Sequence, residues 1–199
     1  DGSVVIKATD EKAVLVSLLC ETDFVSRNED FMKVLNELSE KASLVGVEKM
    51  KEEAKNLINP LIQKTGENIQ LGAVYEVSGD TIGAYVHNNK SGVIVSLTSG
   101  SNDLARDIAM HITAMKPEFI DESEISEDVK KTMQEVFEKE VAKIDKPEDI
   151  KAKMLAGKIT TYFKERTLLE QPFIKGDETV GKLLEKSGAK IKEVKRYSI

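Results

Sequence analysis

One stretch of this sequence occurs twice, and the duplication constrains the fold more than any other feature. Shifted by 79 positions, "AVLVSLLCETDFVSRNEDFM" (13–32) lies over "GVIVSLTSGSNDLARDIAMH" (92–111). Both copies read as an apolar strand, a polar corner and a helix. Two similar α+β halves are the simplest interpretation, and chance similarity between two strand–helix units is the alternative.

Runs of β-branched and apolar residues predict the strands of both halves. The turns "TDEK", "GD" and "NNKSG" separate neighbouring runs and indicate hairpins. The strand-like runs cover residues 2–8, 13–20, 68–78, 81–88, 92–99 and 189–199.

Two helices are expected between the second and third strands. The first has apolar residues at helical spacing, and Ser26 followed by Glu29 resembles a capping box at its start. The second covers residues 47–66, where Gly66 predicts the stop and Pro60 predicts a kink or a break. Its apolar positions are Met50, Ala54, Leu57, Ile58 and Leu61.

Residues 118–173 break the duplicated plan. Two amphipathic helices joined by "DKP" predict an antiparallel helical hairpin, with Ser126 capping the first helix and Pro147 in the first turn of the second. The hairpin either packs on the domain or presents an apolar seam to a partner. A short helix, "TVGKLLEKSG", precedes the last strand.

Phe24 is the residue that the shared plan does not explain. In the repeat, Val25 corresponds to Leu104, so an apolar residue there serves both halves, whereas Phe24 corresponds to Asp103. A large apolar side chain is therefore not required at position 24. This mismatch favours an exposed Phe24, and the alternative is an early helix start that places Phe24 in the core.

Composition and charge exclude several classes of protein. A chain of 199 residues with 40% hydrophobic and 32% charged residues is too apolar for disorder, and no apolar run is long enough for a membrane helix. The net charge of −6 argues against direct binding of nucleic acid. The single cysteine, Cys20, fits a reducing cytoplasm and, with two histidines far apart, predicts neither a disulfide nor a metal site.

No set of residues has the spacing of an enzyme site, and the glycines lie at turns rather than in a phosphate-binding loop. Cys20 could be paired with His87 or His111, but a cysteine that ends an apolar strand is usually a small buried hydrophobe. His111, at a helix centre, favours packing, whereas His87 ends a strand at an exposed tip. The residues alone indicate a binding protein without a cofactor.

Several stretches, in order along the chain, together resemble bacterial elongation factor Ts, the nucleotide exchange factor of the GTPase elongation factor Tu. They are "CETDFVSRNEDF", "GENIQLGAVYEV", "GAYVHNNKSGVIVSL", "DIAMHITAMKPEFID" and "LLEQPFIKGDETVGKLL". The combination of the TDFV corner with "AMHITAMKPEF" and "QPF" is specific to that family.

The resemblance implies an α+β fold of two similar subdomains, each a small antiparallel sheet with packed helices. These would be residues 1–80 and 81–199, the second containing an inserted helical hairpin at 118–173 for dimerisation or partner contact. The family's N-terminal three-helix module precedes the region that this sequence matches.

The resemblance also implies the partner and the site residues. The partner is GDP-bound elongation factor Tu, with no membrane and no direct nucleic acid contact, and a homodimer through 118–173 is left open. Thr22, Asp23, Phe24 and Val25 form the wedge, in which Asp23 and Phe24 enter a crevice beside the nucleotide and disturb Mg²⁺ and phosphate binding. Thr65, Gly66 and His87 lie on the same contact face, although position 65 is often larger and apolar in the family.

The implied protein has no catalytic residues of its own, because exchange is driven by binding. Two alternative hypotheses about the function remain. One is a non-catalytic dimeric adaptor of another pathway, which would share the duplicated plan without needing Phe24. The other is a thiol enzyme built on Cys20, which would depend on that side chain.

Overall fold

Two three-stranded antiparallel sheets carry the duplicated part of the chain, which we describe from a computed structural model of residues 1–199. The first sheet has the order β1-β2-β3 and the second has the order β4-β5-β6. The strands are β1 (Gly2–Ala8), β2 (Lys12–Leu19), β3 (Gln70–Ser78), β4 (Thr81–His87), β5 (Ser91–Leu97) and β6 (Ile191–Ser198). The predicted α+β class with small antiparallel sheets is confirmed.

The two repeated apolar stretches occupy equivalent places, because β2 and β5 are the central strands of their sheets. β2 pairs with β1 and β3, and β5 pairs with β4 and β6. Each central strand also has a register shift in its pairing with the last strand of its sheet. The structural equivalence supports a repeat rather than chance similarity.

Seven α-helices accompany the strands. They are α1 (Asp23–Ser26), α2 (Glu29–Val45), α3 (Val47–Thr65), α4 (Asn102–Met115), α5 (Glu127–Ala142), α6 (Glu148–Arg166) and α7 (Val180–Lys186). Short 3₁₀ turns lie at Glu122–Glu124 and Leu168–Glu170. None of these helices combines the length and apolar character that crossing a membrane would require.

β2 is apolar without interruption because both of its faces are buried. Its side chains alternate in direction, so Val14, Val16 and Leu18 pack with α2 and α3. Ala13 and Leu15 point the other way and pack with Val4 and Val77 of the same sheet and with Ile82 and Ile94 of the second sheet. A strand with only one buried face would instead alternate between apolar and polar residues.

The helical periodicity holds for both helices that cover this sheet. α2 buries Phe31, Leu35 and Leu38, and α3 buries Met50, Ala54, Ile58 and Leu61, while Leu57 is only partly buried. α3 runs unbroken through Pro60 to Thr65, so the expected break does not occur. Gly66 ends the helix, as predicted.

The chain divides into two compact units, Asp1–Ala114 with Ser187–Ile199, and Met115–Lys186. The sequence-based division into residues 1–80 and 81–199 follows the repeat rather than compactness and remains a prediction.

In the second unit, α5 and α6 pack together as a helical hairpin, and Ser126 caps α5 by accepting a hydrogen bond from the Val129 amide. Pro147 is the N-cap of α6 rather than a residue of its first turn.

Gly83 permits the close approach of β4 to α4 in the first unit. A Cβ atom at this position would lie 2.0 Å from the carbonyl carbon of Ala105 and 2.2 Å from its oxygen. Both atoms belong to helix backbone, which cannot move aside as a flexible side chain can.

We therefore expect Gly83→Ala to destabilise the protein by about 3 kcal/mol, the upper part of the usual range for overpacking. Gly157→Ala is the matched control, because Gly157 lies inside α6 with no atom near the added Cβ, and it should gain about 0.5–1 kcal/mol. Urea unfolding followed by circular dichroism measures both changes. Wild-type stability of Gly83→Ala would contradict the close approach.

Candidate functional site

Phe24 projects from the surface at the corner formed by residues 21–26, which we call the Phe24 corner. Its side chain is 83% exposed, although its neighbour Val25 packs against the core and Ser26 is fully buried. In the second half of the repeat, Leu104 is likewise half-buried and Asp103 exposed. The expectation of an exposed Phe24 is confirmed, and the alternative that places it in the core is wrong.

The predicted capping box at Ser26 is wrong. Ser26 is the last residue of α1, and its hydroxyl donates a hydrogen bond to the Asp23 carbonyl at 3.0 Å. Asn28 instead caps α2, accepting from the Asp30 amide at 2.8 Å. Thr22 caps α1, since its hydroxyl accepts from the Val25 amide. Two capping residues, Thr22 and Asn28, lie within seven positions here, and spacing alone selected Ser26 between them.

Glu67 ties the Phe24 corner to the segment that follows α3. One carboxylate oxygen accepts hydrogen bonds from the backbone amides of Glu21 at 3.0 Å and Thr22 at 3.2 Å. The other accepts from the Thr22 hydroxyl at 2.5 Å. In return, the Asn68 amide donates to the Glu21 carboxylate at 3.3 Å.

The segment that carries Glu67 begins at Gly66, which has the left-handed φ of 74° that a helix C-cap glycine adopts readily. The Gly66 amide donates to the Ile62 carbonyl at 2.8 Å. The Thr65 hydroxyl donates to Leu61 of its own helix at 2.9 Å and accepts from the Glu67 amide at 3.3 Å. Gly66 is exposed and Thr65 half-buried, so Thr65 also helps to shape the end of α3.

His87 lies at an exposed hairpin tip, as predicted. Asn88 and Asn89 have φ of 51° and 55°, and the Lys90 amide donates to the His87 carbonyl. This is the geometry of a tight turn that joins antiparallel strands. The imidazole stacks on Tyr85, with 6.3 Å between ring centroids.

The His87 turn is fastened to the other end of α1. The Lys90 ammonium donates to the Ser26 hydroxyl at 3.2 Å and to the Gly2 carbonyl at 2.6 Å. Asn89 exchanges hydrogen bonds with the backbone of Val4. Glu67 and Lys90 thus connect the predicted site residues of three separate segments, 22–25, 65–66 and 87.

Charged groups around the corner are paired but accessible. The Asp23 carboxylate lies 3.3 Å from the Arg27 guanidinium, and the Arg27 side chain is largely exposed while that of Asp23 is half-buried. Such a pair contributes little to stability and can be exchanged for contacts with a partner. The hydrogen bond from Lys64 lowers the pKa of Asp30 below its usual value, and this pair joins the start of α2 to the end of α3.

Cys20 is buried behind the corner, with 6% of its surface exposed. Its thiol donates to the Thr22 carbonyl at 3.2 Å. Burial raises the pKa of Cys20 above its ordinary 9.0, and the negative charge of Glu67 raises it further. A thiol that stays protonated at neutral pH is a poor nucleophile. His111 is also buried, as expected for a packing residue in α4.

Sequence reasoning missed Glu67 and Lys90. Glu67 is an acidic residue after a helix-ending glycine, and Lys90 is a lysine in a turn. No local sequence pattern identifies the partner of such a residue when that partner lies many positions away. The "NN" of the turn is a recognisable signal for backbone conformation, but it does not reveal that the turn docks on β1 and α1.

The chain is similar to a known family along nearly its whole length. The family model described as elongation factor TS matches residues 21–199. Elongation factor Ts of Thioalkalivibrio sulfidiphilus is 36% identical, with 100% of this chain and 73% of that protein covered. The corresponding identities are 38% for Pseudomonas aeruginosa, with 72% of the relative covered, and 39% for Pseudomonas fluorescens, with 71% covered, each over 100% of this chain.

The Glu67 contacts predict a specific dependence of stability on pH. The hydrogen bond from the Thr22 hydroxyl lowers the pKa of Glu67 below its ordinary 4.5. A carboxylate of this kind stabilises the fold above its ordinary pKa, and the contribution is lost as the pH falls through the lowered value. We expect Glu67→Gln to melt at a lower temperature than the wild type at neutral pH.

The difference between the two melting temperatures should shrink once the pH falls below 4.5. Asp30 and Glu53 also have lowered pKa values, set by Lys64 and Lys41, but they titrate in both proteins and cancel in the comparison. Melting curves recorded across this pH range provide the test. A difference that stays constant down to acid pH would contradict the assignment to Glu67.

Proposed function

We propose that this chain, which belongs to the elongation factor Ts family, releases GDP from elongation factor Tu by binding to it. The observation that carries the proposal is the exposed Phe24 on a corner held at both ends by hydrogen bonds. An aromatic side chain that its own fold leaves in water, on a fixed backbone, is suited to enter a pocket of another protein.

The exchange factor supplies binding energy rather than catalytic groups. It must bind best to the conformation of the GTPase that holds GDP poorly. By thermodynamic linkage, the factor by which it weakens GDP binding equals the factor by which GDP weakens its own binding. GDP release therefore needs differential contacts and no proton or group transfer by this chain.

The magnitude expected of Phe24 fits this role. Burying a phenylalanine side chain contributes about 1.5–3 kcal/mol, which is comparable with the ~1–3 kcal/mol of typical coupling between two sites. About 1.4 kcal/mol changes an equilibrium tenfold, so Phe24 accounts for one order of magnitude or more. A broader interface supplies the remaining energy.

The neighbouring residues have complementary roles in this proposal. Asp23 exchanges Arg27 for backbone donors of the GTPase, and its charge disfavours phosphate nearby. Thr22 and Val25 hold the short helix from which Phe24 projects. Gly66 and His87, with Thr65 at the edge, extend the contact face from the two segments fastened to the corner.

Two observations weigh against the rival functions. The buried, protonated Cys20 does not suit a thiol enzyme. A dimeric adaptor of another pathway has no need for an exposed phenylalanine at a corner where the repeat has Asp103. The family membership adds to the case for exchange.

We expect Phe24→Ala to slow the release of GDP by about tenfold and to leave the melting temperature unchanged, because the side chain is already in water. Leu44→Ala is the matched control: Leu44 is 82% exposed near the end of α2 and is outside the proposed contact face. Stopped-flow release of fluorescent GDP from elongation factor Tu, together with thermal melts, gives both quantities. Equal release by Phe24→Ala and the wild type would overturn the proposal.

The α5–α6 hairpin is proposed as a second contact surface, for a second copy of the chain or for the GTPase. Val129 and Val136 are exposed and lie seven residues apart, so they share one face of α5. Phe137, by contrast, packs edge-on against Tyr162 of α6 with 5.5 Å between ring centroids. The apolar residues of α5 therefore lie on two faces of the helix, one packed inside the hairpin and one exposed to solvent.

We expect the double change Val129→Ser and Val136→Ser to weaken self-association or the affinity for elongation factor Tu by about tenfold, because it removes two apolar contacts. Lys131→Ser with Glu135→Ser is the control, since it adds the same serines elsewhere on α5 without changing the net charge. Light scattering and titration of the complex measure the two affinities. If neither affinity responds to the valine changes, the exposed face of α5 is not a contact surface.

A further inference from the structure

We infer that Glu67 is a positioning residue for Phe24: its carboxylate holds the Phe24 corner in the geometry that the GTPase recognises. This inference rests on the proposed exchange function. Glu67 itself does not need to touch the GTPase for its role. It acts through the backbone of residues 21–22 and the hydroxyl of Thr22.

The need for an external support follows from the length of α1. It has four residues, far fewer than the roughly 12–15 that an isolated helix needs to be even marginally stable in water. Phe24 gives the helix no anchorage, because its side chain is almost entirely in solvent. The direction of Phe24 must therefore be set by contacts made elsewhere on the corner.

Glu67 supplies such contacts on the N-terminal side of α1. Its two oxygens accept three hydrogen bonds, two from consecutive backbone amides and one from the Thr22 hydroxyl. The same hydroxyl accepts from the Val25 amide at 3.4 Å. A continuous chain of hydrogen bonds thus runs from Glu67 through the Thr22 hydroxyl to the amide of Val25, the helix residue that follows Phe24.

Glu67 is itself held in a fixed position. Glu67 follows the C-cap glycine of α3 and lies two residues before Ile69, which is 2% exposed and belongs to the same core as Val16 and Leu18. Movement of Glu67 would therefore disturb the α3 cap or this core. On the C-terminal side of α1, the Ser3 hydroxyl donates to the Ser26 carbonyl at 3.0 Å, and Lys90 contacts the Ser26 hydroxyl.

Pre-organisation of this kind affects binding because it removes an ordering cost at the moment of association. Without Glu67 the corner samples several conformations, and only the fraction with Phe24 correctly directed can bind productively. The loss caused by removing Glu67 is then bounded by the loss caused by removing Phe24, since one acts through the other.

A double-mutant cycle tests this relation. We expect Glu67→Ala to slow GDP release from elongation factor Tu about fivefold, at the lower end of typical couplings between sites. In the Phe24→Ala background the same change should have almost no further effect, because no side chain remains to be positioned. General loss of folded protein would instead lower the rate by the same factor in both backgrounds.

Glu53→Ala is the matched control. It removes a carboxylate from the same unit and breaks the ion pair with Lys41, but it lies on α3 away from the corner and should leave exchange unchanged. Thr22→Val provides a second variant of similar shape that deletes the hydroxyl bound by Glu67. Its effect should also disappear in the Phe24→Ala background, which keeps the test available if Glu67→Ala does not fold.

The outcomes separate this inference from the proposed function. If the wild type does not accelerate GDP release, the proposed function fails. If the wild type is active and Glu67→Ala matches it, or if the effects of Glu67→Ala and Phe24→Ala are additive, only the positioning role of Glu67 is overturned.

Discussion

The arrangement of the candidate site depends on one constraint: a helix of four residues cannot maintain its own position. α1 holds its place because Val25 packs against the core and hydrogen bonds reach the corner from both sides, from Glu67 beyond α3 and from Ser3 of β1 and Lys90 of the His87 turn. Phe24 can remain in solvent because other residues hold α1 in place. The exposed apolar side chain is tolerated where the backbone beneath it is secured.

The duplicated core provides the rigid parts that make this possible. β2 is buried on both faces, so the chain emerges from its end at a well-defined point, and the corner follows directly. The His87 turn belongs to the second sheet, yet its Asn89 pairs with the backbone of Val4 in the first. Residues from both halves of the repeat therefore converge on one short helix, which a single strand–helix unit could not achieve.

Local sequence patterns predicted several features correctly, and the wrong predictions share one physical cause: tertiary contacts override the local pattern. Gly66 and Ser126 were correctly identified because each acts on its own helix end. Ser26 was misread because its hydroxyl is engaged by Asp23 and Lys90, which leaves Asn28 to cap α2. Pro60 was expected to kink or break α3, and the break does not occur because the packing of Ile58 and Leu61 against the core keeps the helix continuous.

The sequence by itself determined the strands, the main helices, the duplication and the contrast between Phe24 and Asp103. These follow from periodicity and from turn residues, which act over a few positions. The tertiary structure alone decided that Glu67 binds Thr22 and that Lys90 binds Ser26. The partners in these contacts are separated by 45 and 64 residues, so their meeting depends on the path of the whole chain, which no local pattern encodes.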